Sequence, residues 1–224
     1  IMSVLAINKV SYQYVGNKKK VLKNISASFE AGKLYVIMGK SGSGKSTLLS
    51  LISGLDLCTE GSILYQGQDM KVLDRDNYRS KNIGVIFQGY NLLTNATALE
   101  NVVLSMNISG MKEKNKKETA YRLLESVGIS REQASRKILK LSGGEQQRVG
   151  IARAISHDPS IIIADEPTGN LDHETEATIM GILQRLAHEE NKCVIVVTHS
   201  KSVSNYNDEL WGLNAGHLVF VKES

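Results

Sequence analysis

Gly39-Lys40-Ser41-Gly42-Ser43-Gly44-Lys45-Ser46 decides the fold. The stretch fits a phosphate-loop pattern of Gly, four residues and Gly-Lys-Ser, with a further glycine at Gly42. Leu34 to Met38 before it is a short apolar run that reads as a buried strand, and Thr47 to Ile52 after it opens a helix. Strand, glycine loop and helix is the arrangement in which bare backbone N–H groups wrap a phosphate chain. The glycines allow positive φ and close approach. Lys45 is placed to neutralise β- and γ-phosphates, and the Ser46 hydroxyl to ligate Mg²⁺. The alternative is a flexible glycine-serine turn, but the four fixed positions arise by chance in only roughly one per cent of chains this long.

Composition narrows the partners. The chain has 224 residues, 42% of them hydrophobic, enough for one large domain or a core with a subdomain. Lys and Arg total 27 against 23 Asp and Glu, a net charge of +4. This suits an anionic ligand and by itself points to neither nucleic acid nor membrane. The lysines at 18–20 and at 112, 114, 116 and 117 read as solvated loops or helix faces. Cys58 and Cys193 stand in unrelated contexts, so neither a disulfide framework nor a metal site is expected, and a reduced, cytosolic setting is. No signal-peptide pattern opens the chain, and Ile1 ahead of Met2 reads as an added residue. Asn82 to Leu99 carries no charge, yet Asn82, Gln88, Asn91, Thr94 and Asn95 interrupt it, so it cannot span a bilayer and the chain is expected to be soluble.

Val4 to Tyr14 and Val21 to Glu30 alternate in polarity like half-buried antiparallel strands. Tyr14, at the end of the first, is either a packing residue or a platform for a purine ring. Gly61 to Gln66 reads as a strand and Asp74 to Ser80 as a short polar helix. Ile83 to Phe87 is a buried strand ending at Gln88, whose amide is either turn chemistry or a reach toward Mg²⁺ or a water. From Ala98 to about Arg136 the apolar period turns helical, which predicts two or three consecutive helices inserted between strands. Leu141-Ser142-Gly143-Gly144-Glu145 opens a helix through Ile155, with Ser142 and Glu145 as a capping-box pair. Two glycines in a first turn cost about 1 kcal/mol each relative to alanine. That cost is expected to be offset by a large group approaching the helix N-terminus, which makes Ser142, Gly143 and Gly144 a second candidate anion site.

Ile161 to Ala164 is an apolar strand ending in Asp165-Glu166-Pro167. The charged pair is either a polar turn or a Mg²⁺-binding aspartate beside a water-orienting glutamate. A helix is expected from Asp172 to about Glu190, a buried strand from Cys193 to Thr198 capped by His199, and a closing hairpin from Leu210 to Val221 around Ala215-Gly216. Four apolar strands thus end in the glycine loop, Gln88, Asp165-Glu166 and His199. In open α/β sheets, ligands sit beyond the carboxyl ends of the strands.

With these residues in order, nearly the whole chain resembles the ATP-binding-cassette (ABC) ATPases. The resemblance makes Gly39 to Ser46 the Walker A motif and Gln88 the Q-loop. Leu141 to Gln147 becomes the signature motif, Asp165 the Walker B aspartate, Glu166 the catalytic glutamate, Gly169 to Asp172 the D-loop and His199 the switch histidine. Tyr14 falls where the family stacks adenine; Tyr12 is the lesser candidate. The implied fold is α/β: a P-loop NTPase core with a mostly parallel sheet, an N-terminal antiparallel β subdomain and an inserted α-helical subdomain. Residues 1–224 form one such domain, with roughly 1–87 and 156–224 as core and 88–155 as the helical signature part. Implied site residues are Tyr14, Gly39, Ser41, Gly42, Ser43, Gly44, Lys45, Ser46, Thr47, Ser142, Gly143 and Gly144 for ATP, and Ser46, Gln88 and Asp165 for Mg²⁺. Glu166, His199, Gln88 and Lys45 are the implied catalytic groups.

The D-loop reads Gly-Asn-Leu-Asp where many members have Ser-Ala-Leu-Asp. Together with Asp-Glu-Pro-Thr at 165–168 and Ala-Leu-Glu-Asn-Val at 98–102, it is similar to the macrolide-exporter and lipoprotein-release group. It also resembles the ATPases of peptide-antibiotic resistance and cell-division transporters. The resemblance implies a head-to-tail homodimer closing over two ATP molecules, each held by Walker A of one chain and Ser142-Gly143-Gly144 of the other. It further implies a separate membrane permease, with a membrane-fusion or adaptor protein as a third component, and a peripheral place on the cytoplasmic face of the membrane. No nucleic-acid partner is expected. Translation cassettes carry two cassettes per chain and DNA-repair cassettes a long coiled-coil insertion, so neither fits. A cytosolic nucleotide switch uncoupled from transport is the remaining alternative.

Overall fold

The computed structural model describes residues 3–224; Ile1 and Met2 lie outside the described residues. A six-stranded sheet organises it. Its members are β3 (Leu34–Met38), β6 (Ile83–Phe87), β7 (Ile161–Asp165), β8 (Cys193–Thr198), β9 (Glu209–Asn214) and β10 (His217–Glu223), in the order β10-β9-β3-β8-β7-β6. β9, β3, β8, β7 and β6 run parallel, and β10 returns antiparallel to β9 through Ala215-Gly216, both at positive φ. A second sheet, β2-β1-β4-β5, is antiparallel throughout: β1 is Leu5–Tyr12, β2 Leu22–Phe29, β4 Glu60–Tyr65 and β5 Gln68–Asp69. β5 is two residues long, below what an apolar period can signal, and the sequence reading has no counterpart for it.

The continuous apolar runs of β3, β7 and β8 arise because the parallel sheet is covered on both faces. Side chains alternate between two cores. Leu34, Val36, Ile162, Ala164, Val194 and Val196 face one with Val102, Leu124, Ile151 and Leu183. Tyr35, Ile37, Ile161, Ile163, Ile195 and Val197 face the other with residues of β1, β2 and β4, and with Leu48 and Ile52. The helices are α1 (Lys45–Ile52), α2 (Arg75–Lys81), α3 (Ala98–Ile108), α4 (Lys116–Ser126), α5 (Arg131–Ala134), α6 (Gly143–Ile155) and α7 (His173–His188). The two or three helices expected between 98 and 136 are α3, α4 and the single turn α5. Side-chain caps fix the starts: Thr97, Ser130 and Ser142 form capping boxes with Glu100, Gln133 and Glu145, and Asp172 caps α7. Cys58 and Cys193 are free and buried, and no described helix is long and apolar enough to cross a membrane.

One contact locks α6 to the sheet. Gly84 in β6 lies so close to the last turn of α6 that a Cβ there would stand 2.3 Å from the Ala154 carbonyl oxygen. Gly84→Ala is therefore expected to cost about 1–3 kcal/mol by overpacking and to lower Tm by several degrees in a thermal melt. Gly181→Ala in α7, where a Cβ meets nothing within 4 Å, is expected to hold or raise Tm. Equal melting of the two variants would count against this packing.

Candidate active site

β3, β8, β7 and β6 are neighbours, so their carboxyl ends form one row roughly 14 Å long. They surround a cavity of about 690 Å³ lined by Val21, Lys40, Ser41, Gly42, Gly44, Lys45, Ser46, Thr47, Gln88, Asp165, Glu166 and His199. Ten of the residues expected from the sequence meet here. Val21, at the entry to β2, and Lys40 were not anticipated.

The glycine loop is shaped for an anion. Gly44 precedes α1 at φ 107°, no side chain caps the helix, and its first turn holds no acidic residue. Its leading N–H groups and the positive end of its dipole are thus left to a ligand. A Cβ at Gly39 would lie 2.4 Å from Ser43 Oγ and 2.7 Å from the Leu213 carbonyl oxygen. Lys45 Nζ donates to the Gly39 and Lys40 carbonyls at 2.6 and 3.0 Å. Tyr14 is outside the cavity's lining and 44% exposed, yet it shares a 2.8 Å hydrogen bond with the Thr47 hydroxyl and meets Tyr12 edge-on. Gly39 and buried Ser43 support the loop without lining the cavity.

Asp165 and Glu166 are adjacent carboxylates in different settings. Burial first, then the Glu166 charge, raises the Asp165 pKa, with Lys45 opposing. Glu166 is buried, and its φ of 47° is left-handed. Such backbone persists in a non-glycine residue only where its surroundings over-determine it. Here they do: the carboxylate accepts from Thr198 Oγ1 at 2.8 Å, the His199 N–H at 3.0 Å and His199 Nδ1 at 2.7 Å. A carboxylate can only accept, so Nδ1 carries the proton of this bond, and Nε2 is the ring nitrogen turned away from Glu166. Thr198, the hydroxyl ending a wholly apolar strand, is the site residue the sequence reading passed over. Gly169, expected as the first residue of the D-loop, has a contact that the sequence does not reveal: a Cβ on it would stand 2.6 Å from Gln88 Nε2, so its bare backbone seats the amide.

Ser142, Gly143 and Gly144 lie apart from this cavity, at the N-terminus of α6. Their glycines have a reason within the chain that the sequence does not reveal. A Cβ on Gly143 would come 2.9 Å from Tyr90 Oη, and one on Gly144 would come 2.5 Å from Thr175 Cγ2. A side chain at either position would force Tyr90 or Thr175 to move. Fully buried Gln147, one turn on, donates to the Pro167 carbonyl at 2.7 Å and ties α6 to the segment after Glu166.

The comparisons agree with this geometry. A family model described as ABC transporter matches residues 22–169. An ABC transporter ATP-binding protein of Bacillus subtilis, YclH, is 46% identical over all of this chain and 98% of its own length. The macrolide export ATP-binding/permease protein MacB of Aggregatibacter actinomycetemcomitans is 42% identical over 97% of this chain and 34% of its own. Among solved structures, the dimeric bacterial ABC transporter cassette MJ0796 superposes with a TM-score of 0.86 at 36% identity, covering 98% of this chain and 97% of that one. A second dimeric structure of it is a post-hydrolysis state bound to ADP and Pi.

The raised Asp165 pKa carries a stability cost. Burial penalises the charged form, so the penalty is absent below the unfolded carboxylate range near 3.8 and full above the raised native value. Without nucleotide or metal, Asp165→Asn should raise Tm at pH 7–8, and the gain should shrink as pH falls toward 4. A Tm at pH 8 equal to or below that of the parent protein would contradict the assignment.

Proposed function

The chain belongs to the ABC transporter family, as an ATP-binding cassette that hydrolyses ATP, and from that premise we propose how its residues divide the work. One observation carries the reading. Four parallel strands deliver Lys45, Gln88, Asp165-Glu166 and His199 around a single cavity at their carboxyl ends. The loop from Gly39 to Ser46 and the N-terminus of α1 hold the phosphates, Lys45 neutralises their outer charge, and Tyr14 stacks on the base. Glu166 orients and deprotonates the attacking water once His199 and Thr198 have set its rotamer. His199 lines the same cavity, where its Nε2 donates to the transferred phosphoryl group when that nitrogen carries a proton.

The donor set fits Mg²⁺: the Ser46 hydroxyl, the Asp165 carboxylate and the Gln88 amide oxygen are hard oxygen ligands lining one cavity. Among the described residues no group of three or more His, Cys, Asp and Glu side chains converges on a metal position. An ion there would be held jointly by these side chains and the phosphates, whose charge it would neutralise.

The cassette works as a dimer with a membrane permease. We read Ser142, Gly143 and Gly144 as the second half of a composite site, serving the nucleotide of the partner protomer. Their distance from their own chain's cavity supports that reading, as does the dimeric form of MJ0796. Residues 88–155 then act as the helical part that moves between the two nucleotides, and 1–87 with 156–224 as the core. The likeness to MacB supports export as the direction, and ATP-binding proteins matched over 98% and 97% of their own lengths support a permease on a separate chain, which holds the cassette at the cytoplasmic membrane face. A membrane-fusion or adaptor protein is the third component of this assembly.

Glu166→Gln tests the chemistry. It should keep ATP binding, slow turnover by about two to four orders of magnitude and accumulate ATP-bound dimers on gel filtration; near-normal turnover would remove Glu166 from its role. Ser142→Arg should leave ATP affinity of the monomer intact and abolish closure, whereas Lys45→Ala should weaken affinity itself. Equal losses of affinity for a fluorescent ATP analogue would rule out a shared site.

The permease surface is read from the stretch after Gln88. Leu93 is 55% exposed while buried Asn101 pins its backbone, accepting from the Leu93 N–H at 2.8 Å and donating to its carbonyl at 3.1 Å. Phe87 and Leu55 are also exposed and line an apolar groove of about 340 Å³ whose inner end is Ser46 and Asp165. A cytoplasmic helix of the permease fits such a groove. Tyr90, in the same stretch, is half-buried against Gly143 and is a poor probe. Leu93→Glu should preserve basal hydrolysis and lose co-purification with the permease; full retention of transport would move the coupling surface elsewhere.

A further inference from the structure

Arg153 stands in the last turn of α6. Its guanidinium donates to the carbonyls of Asn91 and, at 3.2 Å, of Tyr90, and no carboxylate pairs with it among the described residues. Burial alone lowers its pKa. A half-buried cation spent on two main-chain oxygens, with no carboxylate beside it, is a costly arrangement, and the segment it holds is costly too. Tyr90 and Asn91 are consecutive non-glycine residues at φ 58° and 52°. Asparagine tolerates left-handed backbone; tyrosine does so rarely. Two such residues side by side persist because something over-determines them, and the Arg153 fork reaches both of their carbonyls.

The segment meets α6 at both ends of the helix. Its carbonyls meet Arg153 at the C-terminal turn, and Tyr90 Oη packs over Gly143 at the N-terminal turn. Ser105 on α3 separately ties that helix to the same turn of α6, its hydroxyl donating to the Arg153 carbonyl at 3.3 Å. Gln88 lies only two residues before Tyr90, across Gly89, where a Cβ meets nothing within 4 Å.

We propose that Arg153 is a positioning residue that ties the segment after Gln88 to α6, so that the position of Gln88 in the nucleotide cavity sets the pose of Ser142 to Gly144. The proposal rests on the roles given above to Gln88 and Ser142. It gives the left-handed pair a purpose: a stiff, two-residue bracket transmits a displacement that a relaxed loop would absorb. Arg153 touches neither nucleotide nor water, and it acts on closure and turnover only through the bracket.

Arg153→Met removes the fork and keeps the volume; Arg153→Lys keeps a cation with fewer donors and preserves the test should the first variant fold poorly. For both, affinity for a fluorescent ATP analogue should stay within about twofold of the parent chain. Turnover should fall roughly tenfold in the methionine variant and less in the lysine variant. The ATP-dependent dimer seen in a Glu166→Gln background should be lost when Arg153→Met is added. The Gln88→Ala background separates relay from scaffold: there, Arg153→Met should change turnover less than twofold. Wild-type turnover in both Arg153 variants overturns the proposal, as does a tenfold effect that persists in full beside Gln88→Ala. Normal turnover by Gln88→Ala alone would instead overturn the role given to Gln88.

Discussion

A sheet sealed on both faces by apolar side chains can carry charge only where its strands stop. β3, β7 and β8 are buried along almost their whole length, so Lys45, Asp165, Glu166 and His199 gather at one edge. The parallel direction places all of these ends on the same side. The cavity is thus a consequence of burial, and its low-dielectric floor raises the weight of every charge placed on it.

That floor accounts for the unequal treatment of the two acidic neighbours. Asp165 is left with little compensation, and burial works against its charge. Glu166 instead receives three donors from the end of the adjacent strand. Consecutive residues acquire different chemistry because a left-handed φ at Glu166 turns its side chain toward β8. The strain and the hydrogen bonds are two sides of one arrangement. Function here is held at a cost in stability that the two cores offset.

α6 is the element through which the rest communicates. Gly84 admits its last turn to the sheet, Gln147 binds the segment after Glu166, and Arg153 holds the stretch after Gln88. Its N-terminal glycines are packed against Tyr90 and Thr175. The same glycines that expose a helix end are also those that let its neighbours close on it. One residue type satisfies both demands because both require the absence of a Cβ.

Much was legible in the sequence because it rests on local rules. Apolar runs of four to six residues marked β3, β6, β7 and β8, the glycine loop marked its own anion site, and Ser142 with Glu145 announced the start of α6. Chain order also placed Gln88, Asp165, Glu166 and His199 at strand ends. Tertiary structure alone decided the rest. It paired β1 with β4 and added the two-residue β5, since pairing depends on residues distant in the chain. It brought Thr198 and His199 onto Glu166, seated Gln88 against Gly169, and spent the Arg153 cation on two carbonyls. Periodicity reports which face of an element meets the core. It carries no information about which donor meets which acceptor across elements, because that is fixed by packing between segments far apart in sequence.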